Sequence, residues 1–291
     1  IIKLNKFFDY CFTFPQYLLP QHGLTSLVYR FTRIKIKWIK NLQIRIFIKI
    51  FKVDMNEALK ENSASFITFN DFFTRQLKPN VREWNEDQTT ILSPVDGAVS
   101  QLGLIDSQKI IQAKGKSFSL SQLVAHDKAL TKKFISGTFS TLYLSPRDYH
   151  RIHMPMTGKL LKTIYVPGKL FSVNNSAVRN IDNLFAKNER FISIFESEIG
   201  QYALIMIGAL FVGSMSTVFT GQITPSKDRR IITTDYTSEE SIILKKGEEF
   251  GLFNMGSTVI LLFEQQKMKW SKELSTDISI RTGQIVGELV A

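Results

Sequence analysis

The chain of 291 residues contains a single cysteine, Cys11. One cysteine cannot form an internal disulfide, and it cannot supply a zinc site built from several thiolates. The sequence also has no internal repeat, no low-complexity tract and no glycine-rich phosphate loop. Its 44% hydrophobic and 22% charged residues are ordinary for a globular protein with a substantial core.

No aspartate or glutamate occurs between residues 10 and 53, and the whole chain carries a net charge of +11. Basic and large apolar side chains alternate in this stretch, a mixture that suits an anionic lipid surface. Two alternatives stay open: a core helix with solvated lysines, and a nucleic-acid-binding arm, which the bulky apolar residues disfavour. The basic residues are Arg30, Arg33, Lys35, Lys37, Lys40, Arg45, Lys49 and Lys52.

Long uncharged apolar runs are also lacking. A helix that crosses a bilayer requires about 20 mostly apolar residues. Residues 10–29 are uncharged but include Pro15 and Pro20, and residues 34–51 are interrupted by charge every few positions. We therefore expect the N-terminal region to lie on a membrane and not to cross it.

Downstream of this region, β-branched and aromatic runs are separated by glycine, proline or aspartate, which is typical of antiparallel strands. We predict an α+β fold: N-terminal membrane-associated helices within residues 1–62, then a mainly antiparallel β sandwich or barrel-like domain over residues 63–291. A short helix is predicted at residues 69–73, capped by Thr68 or Asn70. The predicted strands include residues 137–144, 190–196, 201–211, 214–220, 241–244 and 258–264.

Three separate segments carry the residue types of an activated serine. Asp96 lies in Ser-Pro-Val-Asp-Gly, His150 and His153 lie in Tyr-His-Arg-Ile-His-Met-Pro, and Ser257 follows Gly256. A serine hydroxyl needs a base to become a nucleophile at neutral pH, and a carboxylate can orient that base. Each segment also has a plainer interpretation, as turns, as structural histidines, or as a histidine metal pair without an obvious third ligand.

Together these segments resemble the bacterial, pyruvoyl-dependent phosphatidylserine decarboxylase proenzymes. The combination of Tyr-His-Arg-Ile-His-Met-Pro with Gly-Ser-Thr is highly specific to that family. Two departures are apolar: Val95 stands where many members have a small residue, and Met255 where many have leucine. The similarity extends over nearly the whole chain, through residues 52–58, 69–73, 111–115, 143–155, 165–174, 183–190 and 251–260.

The resemblance implies a proenzyme that cleaves itself by serinolysis. Asp96 would orient His153, which takes the proton from Ser257 as its hydroxyl attacks the carbonyl carbon of Gly256. Elimination from the resulting ester would leave residue 257 as a pyruvoyl group, the only cofactor implied, with no metal. The two products would be a β chain of residues 1–256 and an α chain of residues 257–291.

The implied activity is the decarboxylation of phosphatidylserine to phosphatidylethanolamine in phospholipid biosynthesis. The pyruvoyl carbonyl would take up the substrate amine and act as the electron sink when carbon dioxide leaves. His150 would donate a proton or contact the substrate carboxylate. We further expect a homodimer, attached peripherally to the cytoplasmic side of the cell membrane. Two other classes stay open: a serine hydrolase acting on lipid, and a membrane-binding protein without enzymatic activity.

Overall fold

The computed structural model describes residues 13–113, 115–211, 214–224, 229–236, 241–256 and 258–290. Ser257, the predicted nucleophile and cleavage-site residue, lies outside the described residues, as does Cys11. Gly256 and Thr258, on either side of Ser257, lie within them.

The described part of the chain begins with three helices, α1 (Pro15–Leu18), α2 (Gln21–Phe31) and α3 (Lys37–Phe51). Glutamine side chains fasten the first two helices to the rest of the protein. The Oε1 atom of Gln16 accepts a hydrogen bond from the N–H of Ser172 at 2.9 Å. The Oε1 atom of Gln21 likewise accepts one from the N–H of Leu170 at 2.8 Å. These buried contacts fix where the basic region lies on the β-rich part.

A short helix, α4 (Phe69–Phe73), forms where the sequence predicts it. Thr68 caps this helix, because its hydroxyl accepts a hydrogen bond from the N–H of Asp71 at 3.0 Å. The three phenylalanines of α4 are buried and pack with Ile44 of α3 in a small core of their own. The later helices are α5 (Leu120–Leu123), α6 (Lys128–Phe134), α7 (Asn175–Asn180) and α8 (Leu184–Lys187).

Lys40 on α3 departs from the expectation that the basic residues of this region face a lipid surface. Its side chain is buried, and its Nζ donates hydrogen bonds to the carbonyl oxygens of Ser63, Ala64 and Phe66 at 3.2, 3.2 and 2.7 Å. Lys40 therefore ties α3 to the segment that leads into α4. It is a structural residue and not a membrane contact.

Replacing Lys40 with methionine is expected to lower the free energy of unfolding by about 1–3 kcal/mol, since three carbonyl groups lose a charged donor. The matched control is Lys37→Met on the same helix, where the side chain is exposed and the change should stay within about 0.5 kcal/mol. Urea unfolding of both variants measures the difference. Equal stabilities would show that the buried ammonium contributes nothing.

The rest of the described chain is mostly strand. The strands are β1 (Thr90–Leu92), β2 (Gly97–Leu104), β3 (Lys109–Ala113), β4 (Lys116–Ser119), β5 (Thr138–Tyr143), β6 (Arg151–His153), β7 (Gly158–Val166), β8 (Arg190–Ser197), β9 (Gly200–Ile207), β10 (Met215–Thr217), β11 (Gly221–Gln222), β12 (Ile232–Asp235), β13 (Ile243–Leu244), β14 (Glu249–Phe253), β15 (Thr258–Phe263), β16 (Met268–Trp270), β17 (Ser279–Ile280) and β18 (Ile285–Leu289). Each of the six predicted strand segments overlaps one of them, although β8 extends one residue beyond its segment and β9 begins one residue before its own.

Four antiparallel sheets are formed by the described strands. The largest has the order β12-β7-β8-β9-β15-β5-β2-β17, with β13 paired to β7. The others are β11-β10-β14-β6, β1-β18-β16 and β3-β4. The predicted α+β class with antiparallel sheets is confirmed. The largest sheet is open along this part of the chain, with β12 and β17 at its edges, and does not close on itself.

The strand that follows position 257 lies at the centre of the largest sheet. All six residues of β15 are buried between β9 and β5, and Thr258 pairs with Tyr143 at the end of β5. The neighbouring strand β2 begins at Gly97, where an added Cβ would lie 2.2 Å from the carbonyl oxygen of Tyr143. Only glycine permits so close an approach. The turn that carries Asp96 thus reaches the same end of the sheet as Thr258.

Among the described helices, none is both long enough and apolar enough to cross a membrane.

Candidate active site

Strand pairing brings the histidine segment beside the chain that leads to position 256, with His150 nearest to it. β6 pairs with β14, with Arg151 opposite Leu252 and His153 opposite Glu249. The pairing extends beyond the strand, because the N–H of Phe253 donates a hydrogen bond to the carbonyl oxygen of His150 at 3.0 Å. The segment that leads from β14 to β15 therefore runs directly past the histidine segment.

His150 is fully buried, with its imidazole 4.1 Å from the ring of Phe73 between centroids. Its Nδ1 lies 2.8 Å from the carbonyl oxygen of Asp148, which can only accept, so Nδ1 carries the proton. Burial, reinforced by the positive charge of Arg75, lowers the pKa of His150 to about 3. The ring is therefore neutral near pH 7, and its Nε2 carries a free lone pair.

That lone pair faces Gly256. A Cβ placed on Gly256 would lie 3.0 Å from the Nε2 of His150 and 3.3 Å from the carbonyl oxygen of Leu144. The Nε2 atom is buried and has no hydrogen-bond partner among the described residues. A buried nitrogen without a partner is costly in a folded protein, so this one marks a site where a further group is to be expected. Glycine at 256 leaves room for it.

His153 has different surroundings. Its Nδ1 lies 2.8 Å from the carbonyl oxygen of Gly247, and its Nε2 accepts from the hydroxyl of Tyr149 at 3.0 Å. The ring also packs on Trp84, with 4.9 Å between centroids. Burial lowers the pKa of His153, so this imidazole too is held towards its neutral form. The lone pair of His153 therefore accepts from the hydroxyl of Tyr149 and is not free in the described structure.

Asp96 lies close to the His153 segment without bonding its ring in the described structure. The carboxylate accepts hydrogen bonds from the Nε and Nη2 of Arg82 and from the N–H of Thr282, the first at 3.1 Å and the last at 2.8 Å. The N–H of His153 donates to the carbonyl oxygen of Pro94, two residues before Asp96, at 2.9 Å. This backbone hydrogen bond brings the aspartate turn to His153, while the carboxylate itself is directed at arginine.

Arg82 stands between two carboxylates. Besides Asp96 it binds Glu57, whose other oxygen accepts from Arg281 at 2.8 Å. Burial raises the pKa of Glu57, but the hydrogen bonds and charges of the two arginines outweigh it and hold that pKa below its usual range. Glu57, the acid that shares Arg82 with Asp96, is therefore held in its ionised form and is already paired.

The structure thus brings His150 and Gly256 together, and it places His153 and Asp96 in an adjoining cluster. Sequence reasoning assigned no role to Arg75, Arg82, Glu57 or Tyr149. Tyr149 and Glu57 lie within the recognised motifs at residues 149–155 and 52–58, whereas Arg75 lies two residues after α4. No set of three or more His, Cys, Asp or Glu side chains among the described residues is arranged to hold a metal ion.

Comparison with known proteins fits this geometry. A family model described as phosphatidylserine decarboxylase matches residues 69–288, and one described as PSD matches residues 11–52. The phosphatidylserine decarboxylase proenzyme of Nitrosococcus oceani is 45% identical over 282 residues, covering 97% of this chain and 92% of that protein. The proenzyme of Alcanivorax borkumensis is 47% identical over 274 residues, 94% of each chain. That of Alkalilimnicola ehrlichii is 48% identical over 246 residues, 84% of this chain and 85% of that one.

Fold and site define an α+β protein in which a buried, neutral histidine is directed at a glycine that precedes a serine. The chain belongs to the phosphatidylserine decarboxylase family.

Proposed function

We propose that this chain is a proenzyme that cleaves itself between Gly256 and Ser257 and then decarboxylates phosphatidylserine to phosphatidylethanolamine. The observation that carries the proposal is the position of the Nε2 atom of His150. This atom is buried, has no hydrogen-bond partner among the described residues, and lies 3.0 Å from where a Cβ on Gly256 would be. The proenzyme names of the relatives support it. The residues fit a pyruvoyl group formed from Ser257, because the unpaired Nε2 of His150 faces Gly256, the residue that precedes Ser257.

When present, the pyruvoyl group would supply the electron sink that loss of carbon dioxide requires. The protein supplies the rest. His150 is placed to hold or move a proton beside position 257, and the backbone of Asp148 fixes which of its nitrogens is free. Phe73 and the buried core on α4 keep water from this ring. Exclusion of water strengthens each electrostatic contact within the site.

The base that starts self-cleavage has two candidates. The resemblance assigns this role to His153 with Asp96 as its orienting carboxylate, and this stays a prediction. The second candidate is His150, because its lone pair is free and faces Gly256, whereas Tyr149 occupies the lone pair of His153. Both imidazoles are held towards the neutral form that a base requires.

A lipid substrate is supported by apolar cavities beside Gly256. One cavity of about 230 Å³ contains Gly256 and Met255 in its lining, and a second of about 440 Å³ lies towards α2 and α3. The two share Phe47, Phe51 and Phe211 as well as Met255. Apolar walls thus run from the outer helices to the proposed cleavage bond, as a substrate with acyl chains requires.

Docking to a membrane surface is supported by the outer face of α3. Its residues Trp38, Leu42, Ile46 and Ile50 follow one another at intervals of four and are exposed, Trp38 by 70% and Ile50 by 65%. Residues four apart lie on one helix face. Exposed basic residues lie one position away, at Lys37, Arg45 and Lys49. Such a face matches an anionic lipid interface, with apolar side chains inserted and basic ones at the headgroups.

Replacing Lys37, Arg45 and Lys49 together with glutamine is expected to weaken binding to phosphatidylserine vesicles by about fivefold per residue at most. Added salt should weaken wild-type binding in the same direction, since charges are screened over roughly 8–10 Å near physiological ionic strength. Vesicle co-sedimentation measures both. The matched control replaces three exposed lysines that lie outside the helices, Lys109, Lys267 and Lys269. Equal loss in the control, or no loss in either, would refute docking through α3.

Intact-mass spectrometry and a decarboxylation assay of the same wild-type preparation test the function itself. We expect two fragments that meet at 256/257, a blocked N-terminus on the smaller one, and release of carbon dioxide from phosphatidylserine. A single intact chain that hydrolyses lipid esters would favour a serine hydrolase. An intact chain that only binds vesicles would favour a membrane-binding protein. The homodimer and the side of the membrane stay predictions.

A further inference from the structure

A second buried side chain beside His150 has donors without partners in the described structure. Arg75 is only 5% exposed, and its Nη2 donates hydrogen bonds to the carbonyl oxygens of Arg147 and Asp148 at 2.9 and 3.3 Å. Its Nε and Nη1 are buried and have no hydrogen-bond partner among the described residues. Burying a guanidinium with two unpaired N–H donors destabilises the folded protein unless an anion binds it.

The acids near Arg75 do not supply that anion. A cavity of about 540 Å³ is lined by Arg75 and by four acids that have donors of their own, of which Asp54 accepts from the N–H of Asn56 at 2.9 Å. Asp96 and Glu57 are bound by Arg82, and Asp148 accepts from the N–H of Ser145 at 2.6 Å. In the described part of the chain, no carboxylate lies within salt-bridge distance of Arg75. Asp96, Asp148 and Glu57 therefore attract Arg75 only from beyond salt-bridge distance, and none of them forms a direct ion pair with it.

This cavity adjoins the proposed reaction centre. The carbonyl oxygen of Asp148 accepts hydrogen bonds from both Arg75 and the Nδ1 of His150. Tyr143 lines this cavity and also the apolar cavity that contains Gly256. An anion bound at Arg75 would thus lie beside the reacting group, on the polar side of a site whose other side is apolar.

We propose that Arg75 binds the phosphodiester of the phospholipid headgroup and so positions the substrate amine and carboxylate at residue 257; this rests on the proposed function. A guanidinium presents parallel N–H donors that match phosphate oxygens. The substrate carboxylate is the poorer partner for it. An ion pair with the group that leaves as carbon dioxide stabilises the substrate more than the transition state, in which that charge departs.

Binding to the uncleaved Ser257→Ala chain tests the proposal without relying on catalysis. The probes are glycerophosphoethanolamine, which has a phosphodiester and an amine, L-serine, which has a carboxylate and an amine, and inorganic phosphate. With Arg75 in place, glycerophosphoethanolamine should bind more tightly than either other probe in titration calorimetry. Tighter binding of L-serine would place the carboxylate at Arg75, and equal binding of inorganic phosphate would make this a general anion site. Either result overturns the proposal.

Substitution supplies the second arm, in the same Ser257→Ala background. Arg75→Gln should weaken binding of glycerophosphoethanolamine by about 10-fold or more. Arg75→Lys should weaken it less, because the ammonium keeps the positive charge but lacks the parallel N–H donors of the guanidinium. The control is Arg147→Gln, whose side chain lines the same cavity but is 64% exposed, and which should change the dissociation constant less than about threefold. Undiminished binding in a folded Arg75→Gln variant contradicts the proposal. Failure of wild type to cleave would overturn the proposed function but leave these binding constants measurable.

Discussion

Replacing Ser257 with alanine is expected to leave one intact chain of 33.3 kDa and to abolish decarboxylation. Alanine has no hydroxyl to attack the carbonyl carbon of Gly256, so the first covalent step of serinolysis cannot occur. The same change removes the atoms from which a pyruvoyl group would form. Cleavage and activity should therefore disappear together.

The adjacent residue provides a matched control. Thr258 also carries a hydroxyl, and its side chain is buried at the start of β15. Thr258→Ser keeps a hydroxyl there and should still give two fragments, since it leaves Ser257 in place. Intact-mass spectra of both variants and wild type, taken with carbon dioxide release, complete the measurement. A Ser257→Ala chain that splits at 256/257 would show that another group performs the cleavage.

Local sequence signals were sufficient for much of the fold. The strand at residues 258–263 follows from an unbroken apolar, β-branched run, which is typical of a strand buried on both faces. Thr68 before an apolar helix start is a capping signal that the structure confirms. In each case a few neighbouring residues decide the conformation, so their pattern is visible without the rest of the chain.

Other features depend on contacts between distant segments. Lys40 looks like its basic neighbours in sequence, yet it is buried because carbonyls 23 to 26 residues away converge on it. Asp96 sits in a plain turn sequence, and only the fold brings Arg82 onto its carboxylate. Neither the periodicity of the sequence nor local propensity indicates these contacts between distant segments. They arise when the sheet and the N-terminal helices pack.

The site shows the same division. The motif at residues 149–155 identified both histidines, but their separate surroundings could not be derived from their spacing. Phe73, which covers His150, lies 77 residues before it, and Gly247, which fixes the tautomer of His153, lies 94 residues after it. The role of Arg75 could not be predicted for a simpler reason, because a single arginine in a sequence gives no indication that it will be buried without a carboxylate partner.

The second large effect is expected from the two histidines, taken one at a time. His153→Ala should block self-cleavage, because the resemblance makes this imidazole the base for Ser257, and loss of a general base slows a reaction by about 10²–10⁴-fold. His150→Ala should still cleave but should decarboxylate about 10²-fold more slowly, because its Nε2 faces the position that the substrate must approach. Timed intact-mass spectra after cell-free synthesis separate the first step from the second.

The chain offers its own control histidine. His126 is exposed and bonds only weakly to Ser121, at 3.4 Å, so His126→Ala should leave both steps unchanged. Thermal unfolding of all three variants shows whether a loss reflects chemistry or folding. The reverse pattern, with cleavage blocked in His150→Ala and retained in His153→Ala, would transfer the role of base to His150. That outcome would mean that the free lone pair beside Gly256 already serves the precursor, and that Tyr149 holds His153 for the later reaction.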